Sequence, residues 1–560
     1  MTGAELVCRI FKDEGVKYVF GVPGSTEVPI MDAIAQDPDI KYVSAVHEAV
    51  STGMADGYAR ASGEVGVVLV HTSPGTANVV GNLYTAHAAG TPMLVIGGKQ
   101  DTRLQWSDCY LDSNLLPMVS QYTKAAWDVN HAHDLATALR RAFKEARTPP
   151  TGPVFLAIPR DLQEQQVDVD LSLERRRWVP PEGRPDRERL REAAKLLVEA
   201  ERPAILAGRQ VADADAVPEL VRLAELLAIP VYATAQIPKW VFPTSHPLYY
   251  NRILPIGFQL AGLDGPADVV LAIGSYLFKQ ILYMPGALLP AGMKFIQIDL
   301  DPGGLARDCP ADIAMLASPK TALAELADEI EGMLSDAQRE AARQRFDRLK
   351  RGREEAREAR EVQFKEVRDV VPIHPSRAMS DIVAALPKGT IIVDEAVMLT
   401  TYVEYLYESP DVSSYFSSNA CLGWGLPAAL GVSLAAPGRP VVALIGDGAT
   451  LFGIQALWTA ARYELPVVFV VLNNSGFNAI KWAFAAFPFR TCGPDADLGC
   501  DLGNVDFPGV ARAFGVDGER VEQPGDVRPA FERAIGARKP VLVDIALDPK
   551  DVGCGLPRLP

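Results

Sequence analysis

The sequence predicts an α/β protein of three domains, each with a central, mostly parallel sheet flanked by helices. Three observations carry that prediction. Short β-branched runs alternate with helix-like segments along nearly all of the 560 residues, the pattern that crossover connections between parallel strands impose. Many of the runs are continuously apolar rather than alternating, as strands buried on both faces are. Two charge-rich stretches interrupt the alternation and divide the chain.

The first domain, residues 1–170, holds the strand-like runs Lys17–Phe20, Gly66–Val70, Met93–Ile96 and Val154–Ile158, with a short run Tyr42–Ser44 between the first two. Arg175 to Pro185, with three consecutive arginines, Pro180-Pro181 and Gly183, reads as the linker that closes it. The second domain, 186–340, contains Ala204–Leu206, Val269–Ile273 and Phe295–Ile298. Asp336 to Asp369 is dense in Arg and Glu with few apolar residues, which predicts a solvated helix bridging two domains. The third domain, 372–548, contains Ile391–Val393, Val441–Ile445, Val467–Leu472 and Val541–Ile545.

Composition excludes several classes. The chain carries 55 Lys and Arg against 70 Asp and Glu, a net charge of −15. That is the wrong sign for binding nucleic acid or an anionic membrane. Met1 to Phe20 is broken by Glu5, Arg9, Lys12, Asp13, Glu14 and Lys17, so no secretory signal is expected. The longest apolar strings, such as Pro466–Leu472, fall short of the roughly 18 residues of a membrane span. Seven scattered cysteines with no CxxC predict unpaired thiols in a reducing, cytoplasmic compartment. No Cys/His cluster has zinc spacing.

Chemistry concentrates in the third domain. Gly446-Asp447-Gly448 directly follows the run Val441–Ile445, and Asn473-Asn474 directly follows Val467–Leu472. Both therefore fall at the carboxyl ends of neighbouring parallel strands, where open α/β sheets bind ligands. A carboxylate with an amide oxygen is a hard-oxygen pair suited to magnesium, which shares its remaining positions with phosphate and water. A bare Gly-Asp-Gly is most often a tight turn; the asparagine pair at the corresponding place is what favours a metal.

Gly446-Asp447-Gly448, 24 intervening residues and then Asn473-Asn474 resembles the metal–diphosphate signature of thiamine diphosphate enzymes. The order of the domains, over essentially the whole chain, resembles the pyrimidine-binding, central and diphosphate-binding domains of the 2-oxo acid decarboxylase and acetolactate synthase superfamily. The resemblance implies thiamine diphosphate and Mg2+ as cofactors. It places the metal on Asp447, Asn474 and the Gly476 carbonyl, with Gly446 and Gly448 beside the diphosphate. Glu48, in Val46-His47-Glu48-Ala49, resembles the glutamate that bonds the aminopyrimidine and so promotes the ylid that attacks a 2-oxo acid. Cys421 to Pro427 resembles the segment whose bulky apolar residue, here Leu422, props the bent cofactor. The Ala420 carbonyl and the Leu422 amide would then meet the pyrimidine edge.

Finer matches point to the benzoylformate decarboxylase branch. Phe20-Gly21-Val22-Pro23-Gly24-Ser25 and His71-Thr72-Ser73-Pro74-Gly75-Thr76 are similar to its substrate-binding segments. Ser25 would bind the substrate carboxylate and His71 would transfer protons. Ile480, Trp482 and Ala483 fall where the family lines its substrate pocket. Ile281 stands where that branch has a second histidine, so the proton shuttle there is missing. The expected function is thus a thiamine diphosphate-dependent carbon–carbon lyase that decarboxylates a 2-oxo acid. A carboligase of acetolactate synthase or benzaldehyde lyase type is the alternative, and a non-catalytic or CoA-ester-acting homologue a lesser one. No dinucleotide glycine fingerprint occurs in 186–340, which argues against flavin. The resemblance further implies a homodimer or homotetramer with active sites at the dimer interface, acting on a small 2-oxo acid or aldehyde.

Overall fold

The computed structural model describes residues 1–171, 175–180, 183–234, 237–252, 261–262, 265–274, 288–418, 420–486 and 498–553. Three six-stranded parallel sheets, each flanked by helices, make up the framework. The first contains β1 (Tyr18–Gly21), β2 (Lys41–Ser44), β3 (Gly66–His71), β4 (Met93–Lys99), β5 (Ala125–Asp128) and β6 (Pro153–Pro159), in the order β2-β1-β3-β4-β6-β5. The second contains β7 (Pro203–Ala207), β8 (Val231–Ala233), β9 (Tyr249–Arg252), β12 (Val269–Ile273), β13 (Lys294–Asp299) and β14 (Ile313–Leu316), ordered β14-β13-β12-β7-β8-β9. A two-stranded ribbon, β10 (Ala261–Gly262) with β11 (Gly265–Pro266), accompanies it in sequence. The third contains β15 (Ile391–Glu395), β16 (Tyr415–Ser417), β17 (Val441–Gly446), β18 (Val467–Asn473), β19 (Asp517–Val521) and β20 (Val541–Ala546), ordered β16-β15-β17-β18-β20-β19.

The chain forms two compact units. One comprises residues Met1–Val179, Arg368–Val403 and Phe416–Pro560; the other comprises Pro180–Val367 and Glu404–Tyr415. In the second unit the charged stretch forms one helix, Asp336–Glu366, closed at its start by a capping box of Ser335 and Gln338. Ala342 and Leu349 are its buried positions and most of its charged side chains are exposed, while Arg345 and Arg353 are half-buried, Arg345 donating to the Leu227 carbonyl and Arg353 to Glu408.

The strands with continuous apolar runs are the central ones, buried on both faces: Val67, Val68, Leu94, Val95, Val441 and Val442 are all inaccessible to solvent. Six strands do not stand out in the sequence: β5, β8, β9, β14, β16 and β19. Four of them are edge strands and β8 neighbours an edge; β5, β9 and β19 mix polar with apolar residues, while β8 and β14 are apolar runs of three and four residues. An edge strand has one ladder and a wetter environment, so it needs no unbroken apolar run. The sixth, β16, is an edge of three residues, too short to show a period.

Within the first unit, the helix Glu48–Ser62 lies against the helix Gly425–Ala435 at backbone contact. A Cβ on Gly57 would fall 2.2 Å from the Ala428 carbonyl oxygen, and one on Gly431 would fall 2.0 Å from that of Met54. Asp56 is buried in this contact, paired with Arg60 at 2.6 Å and accepting from the Trp424 indole N–H. The Arg60 guanidinium lies 4.5 Å from the centre of the Trp424 ring. Asp56→Ala leaves a buried guanidinium and indole N–H without their acceptor, a loss of about 3 kcal/mol. Its thermal midpoint is expected to drop by several degrees, while Asp32→Ala on an exposed helix face leaves the midpoint unchanged.

Candidate functional site

β17 and β18 run side by side with Gly446 opposite Leu472, so Asp447 and the asparagine pair emerge at the same end of the sheet. Asp447 opens the helix Asp447–Gly453. Its Oδ1 accepts the Gly448 N–H at 2.8 Å and its Oδ2 accepts that of Gly476 at 2.9 Å. Burial pushes the Asp447 carboxyl up to about 6, against the pull of those backbone donors. The two asparagines diverge. Asn473 is structural, donating to Asp544 at 2.9 Å and accepting the Ser475 N–H at 3.1 Å. Asn474 is buried with no hydrogen-bond partner for its Oδ1 among the described residues.

Asp447, Asn474 and Gly476 line one pocket of about 210 Å3, together with Gly446, Gly448, Leu422, Ile480 and the segment Ala396–Leu399. Close packing excludes side chains at two of these glycines: a Cβ on Gly448 would fall 2.4 Å from the Phe477 ring and one on Gly476 would fall 2.6 Å from the Cys500 carbonyl. A buried carboxylate, an orphaned amide oxygen and a wall of glycines suit a magnesium ion carrying a diphosphate. Ala420 sits half-buried two residues before Leu422. Ala483 is half-buried on the helix Asn478–Ala486 and does not line the pocket. Ile281 lies outside the described residues.

One residue here went unnoticed in the sequence. Glu395 ends β15 fully buried, and its carboxylate accepts three consecutive backbone N–H groups: Gly423 at 2.8 Å, Trp424 at 3.3 Å and Gly425 at 2.7 Å. Burial raises its pKa to about 8 in spite of these donors. The carboxylate thereby caps the helix Gly425–Ala435 from a distant strand and fixes the turn that presents Leu422. Its neighbour Asp394 accepts the Ala396 N–H at 2.8 Å and the Thr400 hydroxyl at 3.1 Å. That organises the opposite wall, where Val397 is held at φ 55°, a left-handed conformation that a β-branched residue adopts only under constraint. The available signal was an acidic pair directly after an apolar strand.

The first sheet assembles a second group. β1 ends at Gly21 beside β3, and His71 ends β3 opposite Gly98 of β4. Ser25 is exposed in the loop after β1. The His71 Nδ1 lies 2.8 Å from the Thr26 hydroxyl and 3.4 Å from the Glu27 carboxylate, and Thr26 is also hydrogen-bonded to Glu27. Thr26 and Glu27 were not singled out by sequence, although they directly follow Ser25. Glu48 is the first residue of its helix, which His47 caps by accepting the Ala49 N–H at 3.1 Å. The Glu48 carboxylate accepts from the Asn78 amide at 2.8 Å. Ser25, Glu48 and His71 do not line the Asp447 pocket.

Comparison with known proteins places the chain in a family. Residues 1–118 match the thiamine pyrophosphate enzyme N-terminal TPP binding domain, 190–326 the central domain and 396–545 the C-terminal TPP binding domain. The chain is 32% identical to a benzoylformate decarboxylase of Pseudomonas aeruginosa, over 96% of this chain and 97% of that one. It is 30% identical to a probable acetolactate synthase large subunit of Methanocaldococcus jannaschii, over 100% and 94% of the two chains. A thiamine diphosphate-dependent 4-hydroxybenzoylformate decarboxylase of Rhodococcus jostii superposes with a TM-score of 0.86 at 27% identity, covering 98% of this chain and 99% of its own. The chain belongs to the thiamine pyrophosphate enzyme family, in the group of decarboxylases and acetolactate synthases. Its cofactor is thiamine diphosphate, which such enzymes bind with Mg2+.

Calorimetric titration of thiamine diphosphate in Mg2+ is expected to show that Asn474→Ala and Asp447→Asn each weaken cofactor binding at least about tenfold. Glu395→Ala strands three buried N–H groups, each costing about 1–3 kcal/mol. It is expected to lower the thermal midpoint of the cofactor-free protein and to raise amide exchange at Gly423 to Gly425.

Proposed function

We propose that the chain decarboxylates a 2-oxo acid to an aldehyde and carbon dioxide. The observation that supports this reading is the His71 imidazole, anchored through Nδ1 by Thr26 and Glu27, the two residues that follow the exposed Ser25 in the loop after β1. A fixed imidazole next to a hydroxyl donor suits a substrate with a carboxylate to hold and a carbon to protonate. Bound thiamine diphosphate supplies a carbon nucleophile and an electron sink for the departing carboxylate. The chain's own groups do the rest. Ser25 holds the substrate carboxylate, and His71 gives and takes protons at Nε2. Glu48 holds a proton at the pyrimidine ring, and Asp447 with Asn474 and the Gly476 carbonyl holds the metal. Leu422 would lie against the bound cofactor, and the apolar wall from Val397 to Leu399 with Ile480 would exclude water from the pocket.

In this reading two copies of the chain complete each site. Each half-site is edged by exposed apolar side chains: Val28 at 50% and Val46 at 47% exposure beside Glu27 and Glu48, Phe452 at 58% and Ile480 at 51% beside the Asp447 pocket. Such positions are those a subunit contact covers. The half-sites of one copy then face those of the other.

Product analysis with benzoylformate, pyruvate and branched 2-oxo acids tests the reaction. Aldehyde as the main product is expected, and a 2-hydroxyketone or acetohydroxy acid as the main product replaces this reading with carboligation. Mixing chains tests the assembly. Glu48→Gln and Asp447→Asn are each expected to be inactive alone. Refolded together they regain about a quarter of wild-type activity, because half of the dimers carry one intact site out of two. No recovery places both halves of each site on one chain.

A further inference from the structure

The reaction 2-oxo acid + H+ → aldehyde + CO2 consumes one proton, which must reach the carbon that loses the carboxylate. Among the described residues His71 is the histidine of the Ser25 group, so its state before and after that delivery matters. Its Nδ1 bonds Thr26 and Glu27, and among the described residues none bonds Nε2. Thr26 has one hydroxyl proton. When it donates that proton to the Glu27 carboxylate, it must accept from an Nδ1–H, which leaves Nε2 bare.

The surroundings of Glu27 are those of a proton store rather than of a salt bridge. Its side chain is 1% exposed and its Oε2 has no hydrogen-bond partner among the described residues. Two glycines make room for it: a Cβ on Gly98 would fall 1.8 Å from Oε1, and one on Gly24 would fall 2.4 Å from Oε2. Other groups facing it are neutral or engaged elsewhere. Tyr42, on β2, keeps its hydroxyl proton because burial, with the Glu27 charge, raises its pKa. Gln163 donates to the Thr26 carbonyl at 2.9 Å, and Lys99, next to Gly98, pairs with Asp128 at 3.0 Å. Among the described residues His71 is the cation that pairs with it, and burial raises the pKa of the Glu27 carboxyl.

We propose that Glu27, Thr26 and His71 form a proton relay that lets one imidazole both take up and deliver the proton consumed in each turnover. In the resting arrangement Nδ1–H donates to Thr26 and Thr26 donates to the Glu27 carboxylate. Uptake of a proton at Nε2 sends the Nδ1 proton to Thr26 and the Thr26 proton to Glu27. The imidazole stays neutral with its proton on Nε2, and Glu27 becomes the acid. Delivery of the Nε2 proton to the carbon reverses both shifts, so the relay ends as it began. Glu27 and Thr26 are positioning residues here, acting on the substrate only through His71. The inference rests on the decarboxylase reading, and it explains how a single histidine serves it.

Two measurements on wild-type, Thr26→Val, Thr26→Ser and Glu27→Gln protein test the relay. The first is nitrogen NMR of histidine-labelled, cofactor-free protein at alkaline pH. Wild type is expected to carry the His71 proton on Nδ1, the tautomer that leaves Nε2 bare to take up a proton. The second is turnover of benzoylformate with thiamine diphosphate and Mg2+. In Thr26→Val and Glu27→Gln, kcat is expected to fall at least about tenfold, with cofactor affinity kept, and the product to shift from aldehyde toward 2-hydroxyketone. Thr26→Ser restores both. A wild-type proton on Nε2, or a Thr26→Val protein with wild-type kcat and product ratio, overturns the relay. Wild-type protein that releases no carbon dioxide from any 2-oxo acid defeats the functional reading instead. The two failures are distinct, because the tautomer is read without substrate or cofactor.

Discussion

The contact between the helices Glu48–Ser62 and Gly425–Ala435 is the constraint on which the rest of the first unit depends. Gly57 and Gly431 bring the two backbones together at distances that leave no room for a Cβ. Each helix begins at a functional element: Glu48 opens one, and the Leu422 turn precedes the other. Because helices move as rigid bodies, a side chain added at the crossing would displace both elements at once. The buried Asp56, bonded to Arg60 and Trp424, makes that crossing specific as well as close. Sliding one helix past the other would strand a charge in the core.

Buried carboxylates of this unit do different work according to how fully their oxygens are used. Glu395 spends both oxygens on backbone N–H groups, so it shapes a turn and has nothing left for a ligand. Asp447 has one backbone donor on each oxygen and an orphaned Asn474 oxygen near it in the same pocket, which leaves acceptor capacity for a cation. Glu27 has an oxygen with no partner among the described residues, next to a hydroxyl and an imidazole, so it can exchange a proton. Residue type alone does not separate these roles; the inventory of donors does.

The central strands and the elements that follow them were legible because burial on both faces writes a continuous apolar run. Asp447 and Asn474 stand directly after two such runs and could be located to the residue. The edge strands β5 and β19 were not legible, since Ala125-Ala126-Trp127-Asp128 and Asp517-Gly518-Glu519-Arg520-Val521 carry mixed polarity. Glu395 and Glu27 were missed for another reason. Their importance comes from partners 28 to 30 and 44 residues away in sequence, and no local pattern reports such pairings. The bond of Asn473 to Asp544 adds the physical reason why the second asparagine of the pair, and not the first, lines the pocket.

The central claim is that this chain breaks or makes carbon–carbon bonds through thiamine diphosphate bound at Asp447 and Asn474. Its most direct test is carbon dioxide release from a 2-oxo acid as thiamine diphosphate is titrated into metal- and cofactor-stripped protein. The account predicts no release without the cofactor, saturation at one thiamine diphosphate per chain with Mg2+ present, and loss of release when the metal is chelated. Release that proceeds equally well without thiamine diphosphate would contradict it.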